Sequence, residues 1–232
     1  MKVLLRISDG GNNKLKPSFV YNKQLMLIHN LKIFKNHDIV IIADNVNDTT
    51  FQIIQSLHPN VIRTSLGNAG SFMYLIDYAI KHYKDDEHVY LGEDDYIYKL
   101  GAAEIIDEGL SIANYVSGYD HPDKYINHSE GGPNPFVEQG GEITRLLMTE
   151  HTHWKITNSC CLTFATTVKQ LKKDYDIFLK HGTGDFGMFC DIYKSDTNVR
   201  LISAVPAVST HGETDYLSKF VNWELEFYKS IA

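Results

Sequence analysis

The chain has 232 residues, 43% apolar and 22% charged, the balance of a globular protein rather than a disordered one. That length can bury a sizeable core and suits one α/β domain, or a domain with a small appendage. A formal charge of -7 argues against a nucleic-acid partner, which needs a basic face, but leaves room for a phosphorylated small molecule held through a bound cation.

The opening Met1-Lys2-Val3-Leu4-Leu5-Arg6 breaks into charge too early for a signal peptide, and no apolar run reaches the length of a membrane span. Cys160, Cys161 and Cys190 fit neither a zinc knuckle nor a CxxC motif, so they read as reduced, buried thiols in a cytoplasmic setting.

Strand and helix patterns alternate along the first half. Residues 2–7 form an apolar strand ended by Ser8-Asp9-Gly10-Gly11. Pro17 and Ser18 open a helix carrying Val20, Leu27, Ile28, Leu31 and Phe34. Residues 38–43 read as a second strand, 48–57 as a helix capped by Asp48, and 60–64 as a third strand. Phe72, Leu75, Ile76, Ala79, Ile80 and Tyr83 make the clearest helical stripe. Residues 88–92 are a strand, 102–113 a helix and 114–118 a fifth strand.

The pattern dissolves between 119 and 154, where glycine pairs and three prolines suggest a loop that covers substrate and shapes an acceptor site. It returns with a strand over 159–166, a helix over 168–179, a strand over 199–205, and a last helix carrying Leu217, Phe220, Val221, Leu225 and Tyr228. This alternation predicts a mostly parallel central sheet with helices on both faces. Such sheets bind ligands beyond the carboxyl ends of their strands, so the residues just after each strand are the candidates for function.

Three consecutive carboxylates, Glu93-Asp94-Asp95, follow the strand over 88–92. Their mutual repulsion would be relieved by a divalent cation with oxygen ligands, Mn2+ or Mg2+. Other strand ends carry Ser8-Asp9, Asp44-Asn45 and the loop Ser65-Leu66-Gly67-Asn68-Ala69-Gly70-Ser71, which can bring backbone N–H groups to a ligand at a helix start. His151 and His153 form a His-x-His pair without an evident third metal ligand, and Trp154 beside them could pack on a sugar ring. Asp120, after the fifth strand, could touch donor or acceptor.

Taken in order, these segments resemble the GT-A superfamily of glycosyltransferases, family 2 in particular, with small viral and bacterial members nearest. Residues 41–50, with Asp44 at their centre, look like the family's nucleotide-binding segment, and Asn68-Ala69-Gly70-Ser71 looks like its N-x-G segment. Glu93-Asp94-Asp95 stands at the DxD position, Gly184-Asp185 at the downstream xED position, and His211 at the C-terminal metal-binding histidine.

The resemblance implies a single GT-A-like, Rossmann-like domain over 1–232, with a nucleotide-sugar half to about 118 and an acceptor half beyond. It implies transfer of a sugar from a UDP- or GDP-sugar to a hydroxyl of a glycan or glycoprotein. Asp95 and His211 would bind the metal, Glu93 and Asp94 would face the ribose or sugar, and Arg6, Ser8, Asp9, Asp44, Arg63, Asn68 and Gly70 would line the nucleotide. Asp185 would be the general base, with Glu150 or Asp120 as the fallback, and Asp120, His153 and Trp154 would lie on the acceptor side.

Two other classes compete. A sugar nucleotidyltransferase shares this nucleotide-binding logic, although Gly10-Gly11-Asn12-Asn13-Lys14 is a poor version of a triphosphate-binding loop. A non-catalytic nucleotide-sugar-binding module would not need the acidic triplet, Asp185 and His211 together.

Overall fold

The computed structural model describes residues 1–10 and 14–232. Strands β1 (Lys2–Ile7), β2 (Asp38–Asp44), β3 (Val61–Thr64) and β4 (His88–Glu93) form one parallel half of a nine-stranded sheet. Between them lie helices α1 (Lys23–Ile33), α2 (Asp48–Leu57) and α3 (Gly67–His82). Beyond β4, the short β5 (Tyr96–Tyr98) leaves the sheet, followed by α4 (Ala102–Gly109) and β6 (Tyr115–Ser117). The second half of the chain adds β7 (Leu146–Met148), β8 (His153–Thr157), β9 (Phe164–Thr167), α5 (Val168–Lys173), α6 (Tyr175–His181), α7 (Asp185–Ser195) and β10 (Leu201–Val205). Last come β11 (Ser209–His211) and α8 (Trp223–Ile231).

The strand order is β3-β2-β1-β4-β9-β6-β10-β8-β7. Only β9 and β8 run against the other seven, so the sheet is mostly parallel, as the alternation predicts. Because strand side chains alternate in direction, one face of β1 and β2 carries Val3, Leu5, Ile7, Ile39, Ile41 and Ala43 into the layer with Leu27, Phe34 and Ile54. The other face carries Leu4, Val40 and Ile42 into the layer with Phe72, Leu75, Ile76 and Ala79, the predicted helical stripe. A third cluster joins Phe19, Val20 and Met26 to Ile97, Ala207, Trp223 and Phe227.

Several elements differ from the sequence reading. The first helix is broken at Asn22: residues 18–21 form a single 3-10 turn, and the Asn22 side chain caps α1 by accepting from the Leu25 amide at 3.0 Å. Asn47, not Asp48, caps α2, accepting from the Thr50 amide at 2.9 Å. The helix expected over 168–179 is interrupted at Asp174, which divides α5 from α6. The last helix starts only after Asn222, so Phe220 is fully exposed at positive φ, while Trp223 and Phe227 carry the buried face. The stretch 119–154 is not one loop, since β7 and the start of β8 lie in it.

The second, two-stranded sheet positions chemistry. β5 and β11 pair antiparallel with Tyr96 opposite His211. This places His211, from the end of the chain, beside Asp95, the residue before Tyr96.

Candidate functional site

The carboxyl ends of β1, β2 and β4 open into a cleft of about 660 Å³. Arg6, Ser8, Asp44, Asn68, Glu93, Asp94, Asp95, Asp185 and His211 line it, so nine of the residues singled out in the sequence come together.

Asp95 is the hub. Its Oδ2 lies 2.6 Å from the Lys16 ammonium and 3.2 Å from His211 Nε2. Burial works against its ionisation, but the His211 imidazole and the Lys16 ammonium outweigh it and hold the carboxyl well below the usual carboxylate range. Burial pushes Glu93 and Asp94 the other way, upward, despite their contacts with Arg6 and Lys23. For His211, burial favours the neutral ring, yet the bond to Asp95 raises its pKa overall.

One ligand atom each of Glu93, Asp95 and His211 lies within 4.8 Å of the others, the one such group of His, Cys, Asp and Glu among the described residues. Two carboxylates and an imidazole make a donor set suited to Mn2+, and to Mg2+ through the oxygens. The backbone supports this grouping: the Gly212 amide donates to the Asp95 carbonyl at 2.8 Å.

Other predicted residues reach the cleft but spend their polar groups on structure. Arg6 is buried, and its guanidinium pairs with Glu93 and donates to Asn68 Oδ1 at 2.7 Å and to Ser71 Oγ at 3.2 Å, tying β1 to β4 and α3. Asp44 accepts from the amides of Leu66 at 2.6 Å and Gly67 at 3.0 Å, and from Thr64 Oγ1 at 2.9 Å, so it fixes the turn into α3. Ser8 meets Asp94 weakly through its amide, at 3.4 Å.

Asp185 begins α7. Its Oδ2 accepts from the amides of Cys160 at 2.7 Å and Cys161 at 2.6 Å. The turn that supplies them is strained, with Cys161 at φ 51° and Leu162 at φ 60°, a region that costs a side-chain-bearing residue of order 1 kcal/mol or more. Tyr96 Oη, fully buried, donates toward the carbonyls of that turn at 3.3 to 3.4 Å. Cys161 lines the cleft and Cys190 is half-buried, so of the three thiols expected to be buried only Cys160 is; all three are free.

Six predicted residues lie outside the cleft lining. Asp9 accepts from the Asn47 amide at 2.7 Å and holds the start of α2. Arg63 pairs with Asp48 at 2.8 Å and stacks over Phe51. Gly70 is a packing glycine, since a Cβ there would sit 2.9 Å from Leu66 Cβ. Trp154 is fully buried against Gly109, with its indole N–H on Thr149 Oγ1 at 2.9 Å, so it is a core residue and not a sugar platform. Asp120 is paired with Lys155 at 2.8 Å, and His153 is exposed at the head of β8. No residue of 119–154 lines the cleft, and His151 pairs with Glu108 rather than with His153.

Two lysines escaped the sequence reading. Lys16, from the β1–α1 connection, and Lys23, the first residue of α1, pair with Asp95 and with Asp94, the latter at 2.8 Å. Of the loop weighed for triphosphate binding, Gly11, Asn12 and Asn13 lie outside the described residues. The detectable signal was charge balance: three adjacent carboxylates entering a buried cleft need partners, and Lys14, Lys16 and Lys23 are the nearest unassigned cations after β1.

No protein-family model matches the chain, and no curated protein matches it. Solved structures do. The inositol-1-phosphate CTP transferase of T. maritima is similar at TM-score 0.52 and 10% identity, over 100% of this chain and 96% of that one. A CMP:2-keto-3-deoxy-manno-octonic acid synthetase complexed with CTP is similar at TM-score 0.50 and 10% identity, over 90% and 93%. The galactosyltransferase LgtC, with donor and acceptor sugar analogs, stands lower, at TM-score 0.43 and 8% identity, over 82% and 69%. At these identities the likeness establishes a shared Rossmann-like α/β fold, and LgtC adds nothing further.

Proposed function

We propose that the chain is a divalent-cation-dependent transferase of nucleotide-sugar chemistry, with Glu93, Asp95 and His211 holding an ion that meets the nucleotide's phosphates. The observation that carries this reading is the convergence of those three ligand atoms, from two distant stretches of chain, in a cleft at the strand ends. When bound, such a cation neutralises charge on phosphate oxygens. The chain's own groups supply the rest of the site. Lys16 and Lys23 bring ammonium groups for the phosphate tail, while Asn68 and the turn into α3, held by Arg6 and Asp44, shape the wall where nucleotide would lie.

Two reactions suit such a site. Nucleotidyl transfer couples a nucleoside triphosphate to a sugar or its phosphate and releases pyrophosphate. Sugar transfer moves a sugar from a nucleotide diphosphate to an acceptor hydroxyl. The two solved structures described above at TM-score 0.50 and 0.52 both carry CTP in their names, which favours nucleotidyl transfer. Lys16 and Lys23 add weight, because a triphosphate brings more negative charge than one divalent ion balances. We therefore place nucleotidyl transfer ahead of the sugar transfer suggested by the sequence. Sugar transfer keeps one observation in its favour: Asp185, a carboxylate in the same cleft, has only one oxygen in its two backbone bonds.

One set of assays separates the readings. The protein is incubated with Mn2+ and either a nucleoside triphosphate plus sugars and sugar phosphates, or UDP- and GDP-sugars. Pyrophosphate release supports nucleotidyl transfer; release of UDP or GDP without it supports sugar transfer. Turnover unchanged in excess chelator defeats both.

A further inference from the structure

His211 meets a carboxylate on each side of its ring. Nε2 lies 3.2 Å from Asp95 Oδ2, and Nδ1 lies 3.5 Å from Glu213 Oε1. The Tyr96 ring stacks on the imidazole, with centroids 5.1 Å apart and planes inclined by 30°, so the ring has little freedom to turn. Glu213 is not a surface carboxylate: its side chain is 2% exposed, and its ion pair with Lys14 at 2.8 Å reaches it from the solvent side, where Lys14 is 55% exposed. A carboxylate this deep is retained only where its charge is partnered. The backbone around it is pinned on both sides. The Gly212 amide is bonded to Asp95, and the Thr214 amide donates to the Leu15 carbonyl at 2.9 Å.

We infer that Glu213 is a positioning residue for the cation site, holding the proton of His211 on Nδ1 so that the Nε2 lone pair faces Glu93 and Asp95. The inference rests on the cation-site reading above. A neutral imidazole offers one lone pair, and the partner of one nitrogen decides which nitrogen carries the hydrogen. Asp95 alone would draw that hydrogen to Nε2 and remove the ligand atom from the site. Glu213 sets a second, buried carboxylate 3.5 Å from the opposite nitrogen, where its charge draws the hydrogen toward Nδ1 and favours the ligating tautomer. Lys14 balances the charge of Glu213 from the solvent side.

The test is the affinity of the full chain for Mn2+ alone, read from the free-ion electron paramagnetic resonance signal. Glu213→Met should weaken Mn2+ binding by roughly 10- to 100-fold, the usual effect of losing such an outer partner. Glu213→Gln, whose carbonyl still accepts from Nδ1, should fall between wild type and Glu213→Met, and Lys14→Met should bind Mn2+ at least as well as wild type. If His211→Ala binds Mn2+ like wild type, the cation-site reading itself is wrong. If His211→Ala loses the ion while Glu213→Met keeps wild-type affinity, only the role of Glu213 is overturned. Should Glu213→Met fail to fold, nitrogen-15 spectra of the wild-type His211 ring at pH 9 decide: the Nδ1–H tautomer is expected, and the Nε2–H tautomer overturns the inference.

Discussion

Gly212 and Asp95 touch through their backbones, the Gly212 amide donating to the Asp95 carbonyl at 2.8 Å, and the contact leaves no room for a side chain. A Cβ on residue 212 would lie 2.5 Å from that carbonyl oxygen and 2.9 Å from Val20 Cγ1. Backbone cannot yield as a flexible side chain does. Gly212→Ala should therefore cost about 1–3 kcal/mol of stability and displace Asp95 from His211. Thermal melting and Mn2+ titration check both effects; an unchanged melting temperature with unchanged Mn2+ affinity would show that the contact does not constrain the site.

Lys16 sits on Asp95 Oδ2, so it and an entering cation compete for the same carboxylate. Lys16→Met removes the competitor and should tighten binding of Mn2+ alone several-fold, by the reciprocity of linked binding. The same variant should bind nucleoside triphosphates more weakly, because an ammonium group is lost from the phosphate side. Weaker Mn2+ binding in Lys16→Met would contradict the competition.

Acid sensitivity has a specific source in His29. The ring is fully buried; the Tyr98 amide donates to Nε2 at 2.9 Å, and Ser230 lies on Nδ1. Burial lowers its pKa from 6.5 to about 3. The unfolded chain therefore takes up a proton that the folded chain refuses. The contribution of His29 is whole above pH 6.5 and is lost as pH falls toward 3, by roughly 5 kcal/mol in total. His29→Gln keeps an acceptor for the Tyr98 amide and should flatten the fall of melting temperature between pH 6.5 and 4. An unchanged slope would locate the sensitivity elsewhere.

Much of this site was legible in the sequence because strand ends in a mostly parallel sheet converge, so Asp44, Glu93, Asp94 and Asp95 could be gathered without coordinates. Asp9 and Arg63 stand at strand ends too, but local hydrogen bonding claims them: Asp9 braces Asn47, and Arg63 pairs with Asp48. Trp154 misled because an aromatic beside histidines reads alike whether it faces a ligand or fills a core, and burial alone decides. The last helix was misplaced by a residue count: Leu217 and Phe220 continue the spacing of Leu225 and Tyr228, but the Asn222 cap starts the helix later and turns a different face inward. Lys16 was hidden because its partner, Asp95, lies 79 residues away, and Glu213, although only two residues after His211, because nothing in the sequence shows that its side chain turns inward beside that ring.

Asp185→Asn discriminates between the two reactions. Asn retains a carbonyl oxygen for the amides of Cys160 and Cys161, so the fold and the clamp should persist. A phosphate acceptor is already an anion, so nucleotidyl transfer to a sugar phosphate should keep turnover within about tenfold of wild type. A loss of about a hundredfold or more, with unchanged melting temperature and nucleotide affinity, would show that the acceptor is a hydroxyl needing a base, and where UDP or GDP rather than pyrophosphate is the product it would move the assignment to sugar transfer.

The central claim, that Glu93, Asp95 and His211 hold a cation that binds nucleotide phosphates, is tested most directly by calorimetric titration of CTP and UDP with and without Mn2+, in wild type and in Asp95→Asn. Wild type should bind at least one of the two about tenfold or more tightly when Mn2+ is present, and Asp95→Asn should lose that gain while remaining folded. Equal affinity with and without Mn2+ in wild type, or a full Mn2+ gain surviving in Asp95→Asn, would contradict it.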